Sequence, residues 1–92
     1  MSNNEVNLEK DKPNPKTYAI IVNGRSKEWN KHEITFVEII VLAFGTYSED
    51  PNVAYTVTFS KGENKKEGVL VYNDSVKVKE GMVFNATQTN KS

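Results

Sequence analysis

The chain contains no cysteine, which excludes disulfide staples, thiolate nucleophiles and cysteine-rich zinc sites together. Its fold must be held by packing. It has one histidine, His32, too few for a hydrolytic zinc centre assembled from imidazoles. An excess of either charge is also missing: 12 Lys and Arg balance 12 Asp and Glu, for a formal net charge of zero. Without a basic field, nothing draws in nucleic acid or an anionic membrane surface. No apolar run approaches the roughly 18 residues of a membrane span. Residues 1–16 also lack the basic start and apolar stretch of a secretory signal. The expectation is therefore a soluble, cytoplasmic protein with neither nucleic-acid nor membrane partners and no bound cofactor or metal. At 92 residues there is room for one core only.

Residues 1–16 carry only Val6 and Leu8 as sizeable apolar side chains and end in Pro13-Asn14-Pro15. Such a segment buries too little surface to offset its ordering entropy and reads as a flexible leader. The folded domain is expected over residues 17–87, with residues 88–92 as a short polar tail. Asn73-Asp74-Ser75 and Asn85-Ala86-Thr87 fit the glycosylation acceptor pattern and, with no secretory route, read as chance matches.

Tyr18-Ala19-Ile20-Ile21-Val22 is β-branched and alternating, and Asn23-Gly24 follows it, the strongest short hairpin signal. The partner strand runs from Arg25 to Trp29, polar except for Trp29. Thr35 precedes an apolar run and Glu38 stands three residues later, the spacing of a capping box. Phe36, Ile39, Ile40, Ala43 and Phe44 then follow helical spacing, with Gly45 placed to end the helix in a left-handed conformation. Val37 and Val41 widen the stripe, so the helix is expected to be embraced by a sheet and not merely laid on it. Beyond the turn-rich residues 48–52, Tyr55, Val57 and Phe59 alternate with threonines. Val69-Leu70-Val71-Tyr72 forms a short strand, and Met82, Phe84 and Ala86 alternate in a last one. The order is ββαβββ: an α+β, β-grasp arrangement in which a mixed sheet of four to five strands wraps one helix.

Four stretches in the right order, YAIIVNG (residues 18–24), ITFVEIIVLAF (34–44), YTVTFS (55–60) and SVKVKEGMVFNAT (75–87), are similar to the ubiquitin-like proteins, and more narrowly to the bacterial multiubiquitin-type domain. The last stretch is the most specific. The resemblance implies a protein tag that performs no catalysis itself. It implies ubiquitin-activating-like and conjugating-like enzymes as partners, with target proteins and a deconjugating metallopeptidase. The carboxy-terminal group would be activated as an adenylate and passed on to a target. The residues that match that role are Thr87, Gln88, Thr89, Asn90, Lys91 and Ser92, where ubiquitin has a diglycine and this chain has none.

Strand alternation places Ile21, Thr56, Thr58, Val83 and Asn85 on the face of the sheet away from the helix, the candidate partner-binding face. Only Ile21 and Val83 are expected to give it apolar grip. The other reading, from a different class, is a noncovalent protein–protein interaction module of the same fold. A sulfur carrier needs a terminal Gly-Gly and fits less well. His32 beside Glu33, with Glu28 four residues back, reads as an exposed loop residue. GENKKEG at residues 62–68 departs from P-loop spacing and reads as a solvated hairpin tip. Trp29 reads as a lid on the helix, and no serine or threonine has a histidine partner that would make a nucleophilic triad.

Overall fold

The computed structural model describes residues 17–90. Residues 1–16, read above as a leader, lie outside the described residues, as do Lys91 and Ser92. The chain runs through strands β1 (Tyr18–Val22), β2 (Arg25–Trp29) and β3 (Glu33–Thr35), helix α1 (Phe36–Phe44), then β4 (Val53–Ser60), β5 (Gly68–Leu70), β6 (Ser75–Lys77) and β7 (Val83–Asn90). A five-stranded mixed sheet has the order β2-β1-β7-β4-β5, and β3 and β6 pair separately. This is the expected α+β, β-grasp arrangement. Its parallel pairing is between the first and last strands, β1 and β7, with Ile21 opposite Val83 and Val22 opposite Phe84. The short β3–β6 ladder is an addition that the sequence reading did not contain.

Local signals produce the elements. Asn23 and Gly24 both take positive φ, 52° and 80°, which gives the twist a two-residue hairpin requires. Thr35 and Glu38 close the capping box: the Glu38 N–H donates to Thr35 Oγ1 at 3.2 Å, and the Thr35 N–H donates to Glu38 Oε1 at 2.9 Å. A further free amide at that end, on Phe36, donates to the Asp74 carbonyl at 3.0 Å. Gly45 ends the helix at φ 85° and donates its N–H to the Val41 carbonyl, a left-handed cap that costs a residue with a Cβ more than glycine.

Between sheet and helix lies an apolar core in which Ile20, Ile34, Ile39, Ile40, Val57, Met82 and Phe84 are wholly buried. The helix is less embraced than its composition suggests. Ile39 and Ile40 face the sheet, whereas Val41 and Phe44 remain 43% and 38% exposed. A single sheet covers only one side of a cylinder, and the apolar residues on the far side stay at the surface.

The centre of the sheet is fixed by side chains as well as backbone. Asn23 Nδ2 donates to the Ala86 carbonyl at 3.1 Å, and Ala86 N–H donates to Asn23 Oδ1 at 2.8 Å. The amide thus stands in for one more strand residue beside β7. At the other end, Glu80 Oε1 accepts the Ala19 N–H, and the Gly81 N–H, at φ 81°, reaches the Ala19 carbonyl at 2.7 Å.

Truncation of Phe84 to alanine should cost about 3–5 kcal/mol in urea unfolding. Thr35→Ala should cost about 1 kcal/mol and Thr35→Ser much less, because serine keeps the cap oxygen. Asn23→Ala should cost about 1–3 kcal/mol, through a lost hydrogen bond and a left-handed backbone that alanine tolerates poorly.

Candidate functional site

Register decides which side chains meet on the sheet face turned away from α1. Residues paired across strands share a face, so Ile21 adjoins Val83, Val83 adjoins Ser60, Asn85 adjoins Thr58, and Thr87 adjoins Thr56. The five face residues named from the sequence are therefore brought together on one surface. Ile21 is 36% exposed, Thr56 and Asn85 are exposed, and Thr58 and Val83 are half-buried. Val69, opposite Thr58 on β5, was missed. At 63% exposed it offers more apolar surface than Ile21, and it borders a shallow depression of about 330 Å3 with Thr58, Ser60 and Asn85. Alternation within Val69-Leu70-Val71 would have found it, since Leu70 is buried and its neighbour must face outward.

The carboxy-terminal residues are not a free extension at their start. β7 continues to Asn90, with Gln88 opposite Tyr55, Thr89 opposite Ala54 and Asn90 opposite Val53. Four of the six residues proposed for conjugation, Thr87 to Asn90, therefore sit in the sheet. The other two, Lys91 and Ser92, lie outside the described residues.

The other sequence candidates resolve into structural roles. His32 lies exposed in a bend, and its Nδ1 is 3.2 Å from the Tyr18 hydroxyl. Among the described residues no group of three His, Asp or Glu could hold a metal ion. Residues 61–67 form a tight polar turn containing a 3-10 segment, Glu63–Lys65, and Lys77 reaches Glu63 at 3.8 Å. Trp29 packs against the core, donates Nε1–H to the Glu33 carbonyl at 2.9 Å, and carries Lys31 Nζ 5.4 Å from its ring centroid. No helix among the described residues is long and apolar enough to cross a membrane.

A second feature, not foreseen from the sequence, is an aromatic cluster beside the β4–β5 end of the sheet. Tyr47 stacks on Tyr55 at 5.2 Å and on Tyr72 at 6.4 Å between centroids, and Phe36 meets Tyr47 and Tyr72 edge-on. With Val53, Ala54, Thr56 and Val71 these rings line an open cleft of about 380 Å3. The Tyr55 hydroxyl accepts the Ser48 N–H at 2.9 Å. Partial desolvation of Tyr47 raises its pKa above the ordinary 10.0, and Tyr72, Glu49 and Tyr55 push it the same way.

Compared with known proteins, residues 18–90 match the multiubiquitin family model. No curated protein and no solved structure gives a significant match.

The Tyr47 environment sets a measurable outcome. A phenol whose pKa is raised by folding adds stability that is fully present below its unfolded value and declines as pH rises through the folded one. Absorbance titration should show a phenol ionising above the ordinary value of 10.0. Tyr47→Phe should remove that phase and flatten the loss of stability above about pH 10.

Proposed function

This chain belongs to the multiubiquitin family, and we propose on that premise that it acts in the cytoplasm of a bacterium as a ubiquitin-like protein modifier. Dedicated activating-like and conjugating-like enzymes would attach it to target proteins, and a metallopeptidase would release it. The family match across the whole described fold carries this reading, and the ubiquitin-like sheet, with its first and last strands side by side, supports it. The protein itself does no chemistry: it supplies a carboxylate and a surface. In the activation step that carboxylate attacks the α-phosphate of ATP and pyrophosphate leaves. A carrier nucleophile then displaces AMP from the acyl adenylate, and a nucleophile on the target in turn displaces the carrier.

The partner face would be Ile21, Thr56, Thr58, Val83 and Asn85, with Val69 added. Its apolar grip is small, which suits enzymes that pair with this tag alone better than promiscuous receptors. The reacting end lies within Thr87, Gln88, Thr89, Asn90, Lys91 and Ser92. A diglycine is slender and leaves the reacting carboxylate uncrowded, whereas this stretch carries a side chain at every position. The enzyme channel must then be wider than one built for ubiquitin. The β7 ladder to residues 53–55 must also open for any residue before Lys91 to reach that channel.

The test is intact-mass and peptide mass spectrometry after incubation with activating-like and conjugating-like enzymes encoded beside it, plus ATP. A covalent adduct should form, and a chain shortened before Gln88 should lose it. Shortening before Lys91, which leaves the described strand whole, locates the reacting end. Ile21→Asp should lower adduct yield roughly tenfold, equivalent to about 1.4 kcal/mol of lost enzyme binding, while circular dichroism stays unchanged. Absence of any adduct with enzymes that demonstrably consume ATP would sink the modifier reading and leave noncovalent docking through the same face.

A further inference from the structure

The edge of β4 is only half covered. β5 pairs with Val57, Thr58 and Phe59 and stops there, while β7 pairs with β4 along its whole length, Val53–Ser60. On the β5 side, residues 53–56 therefore have no strand partner among the described residues. The reason lies in the chain after Leu70. It leaves the sheet to form the turn in which the Asp74 N–H meets the Val71 carbonyl and Asp74 Oδ2 accepts the Val71 N–H. The Asp74 carbonyl is then fixed to the first amide of α1. The two segments splay, and the aromatic cleft fills the wedge between them.

The chemistry of the wedge is one-sided. Residues 41–60 contain Glu49 and Asp50 and no lysine or arginine, and residues 69–76 contain Asp74 and no lysine or arginine. Tyr47, Tyr55 and Tyr72 line the cleft, Tyr72 as its exposed ring, and Glu49 stands exposed two residues beyond Tyr47. Desolvation first, and then Tyr72, Glu49 and Tyr55, raise the Tyr47 pKa, in keeping with an electronegative surround. Tyr72, Val71 and Val69 are 60%, 58% and 63% exposed, an apolar lip beside an unpaired strand edge. Such an edge is a template for another chain unless something covers or blunts it, and no lysine or proline lies within residues 53–56.

We propose that this wedge docks an extended segment of a partner protein bearing an arginine or lysine, which adds as a strand along residues 53–56 and sets its cation against Tyr47, Tyr72 and Glu49. Backbone bonds supply the alignment, and the rings and carboxylate select the charge. The site adjoins the face around Ile21, meeting it at Thr56 and Val69, and does not depend on the chain being conjugated.

The test titrates the full-length, 15N-labelled protein with the blocked peptide acetyl-Thr-Val-Arg-Val-Thr-amide, following amide shifts by NMR. Shifts should concentrate at residues 47–56 and 69–74. Replacing the peptide's arginine by glutamine should weaken binding at least about fivefold, in the range of a partly desolvated cation–π contact plus an ion pair. Replacing the valine before it by proline should abolish strand addition. In the protein, Glu49→Gln should weaken binding by a similar factor. Tyr72→Ala should weaken it more, with the remaining spectrum showing that the fold is kept. Shifts centred on Ile21 and Val83, equal affinity for the glutamine peptide, or no shifts at millimolar peptide would each overturn the proposal. So would concentration-dependent shifts at the wedge without peptide, which would make the occupant a second copy of the chain.

Discussion

The parallel contact of β1 with β7 is the constraint on which the rest of this molecule depends. Parallel neighbours cannot be joined by a hairpin, so everything between Val22 and Val83 is in effect one long crossover that must return to its start. The return is secured by bonds between groups about sixty residues apart. Ile21 N–H donates to the Met82 carbonyl at 2.9 Å, Asn23 N–H to the Phe84 carbonyl at 3.0 Å, and the Asn23 side chain exchanges two bonds with Ala86. Once that seam closes, Ile20 and Val22 lie beside Met82 and Phe84, and α1 has a floor of buried side chains to rest on. The same seam sets Ile21 against Val83, so the outer face exists only because the inner one does.

The legible part of the sequence was what short-range chemistry dictates. Asn23-Gly24, the Thr35–Glu38 box, Gly45 and the alternation of Tyr55, Val57 and Phe59 each announce an element from within a few residues, and each is present. What escaped was set by distance. β3 and β6 are three residues each and pair across about forty positions, with Ile34 the only residue of the ladder wholly buried. Gln-Thr-Asn at residues 88–90 carries no apolar signal and reads as a tail. It stays in strand form because residues 53–55 present a complementary ladder beside it. The aromatic cleft draws its rings from α1, the loop after it, β4 and the chain after β5, and no window of sequence contains them together.

The two surfaces of the sheet differ because their causes differ. The outer face is small and threonine-rich by strand alternation, and its apolar content is limited to Ile21, Val69 and Val83. The wedge is aromatic and open because the chain after Leu70 is diverted to satisfy the helix terminus. That diversion fixes Asp74 on α1 at the cost of leaving the edge of β4 open. One hydrogen bond at the start of a helix thus shapes a cleft at the margin of the sheet, and the cap and the cleft cannot be altered independently.

The same coupling bears on the end of the chain. Residues 53–55 are held on one edge by Gln88, Thr89 and Asn90 and, among the described residues, have no strand on the other. A strand added at the open edge would lengthen the sheet and order residues 53–55, which would then grip β7 more firmly. Unzipping residues 88–90 would remove the neighbour that keeps residues 53–55 extended and would weaken the added strand. Each event biases the other through three residues of β4, and by linkage the effect is reciprocal. Occupancy of the wedge and release of the carboxy-terminal strand would therefore oppose one another, a consequence of the order β7-β4-β5 and of a β5 that stops at Leu70.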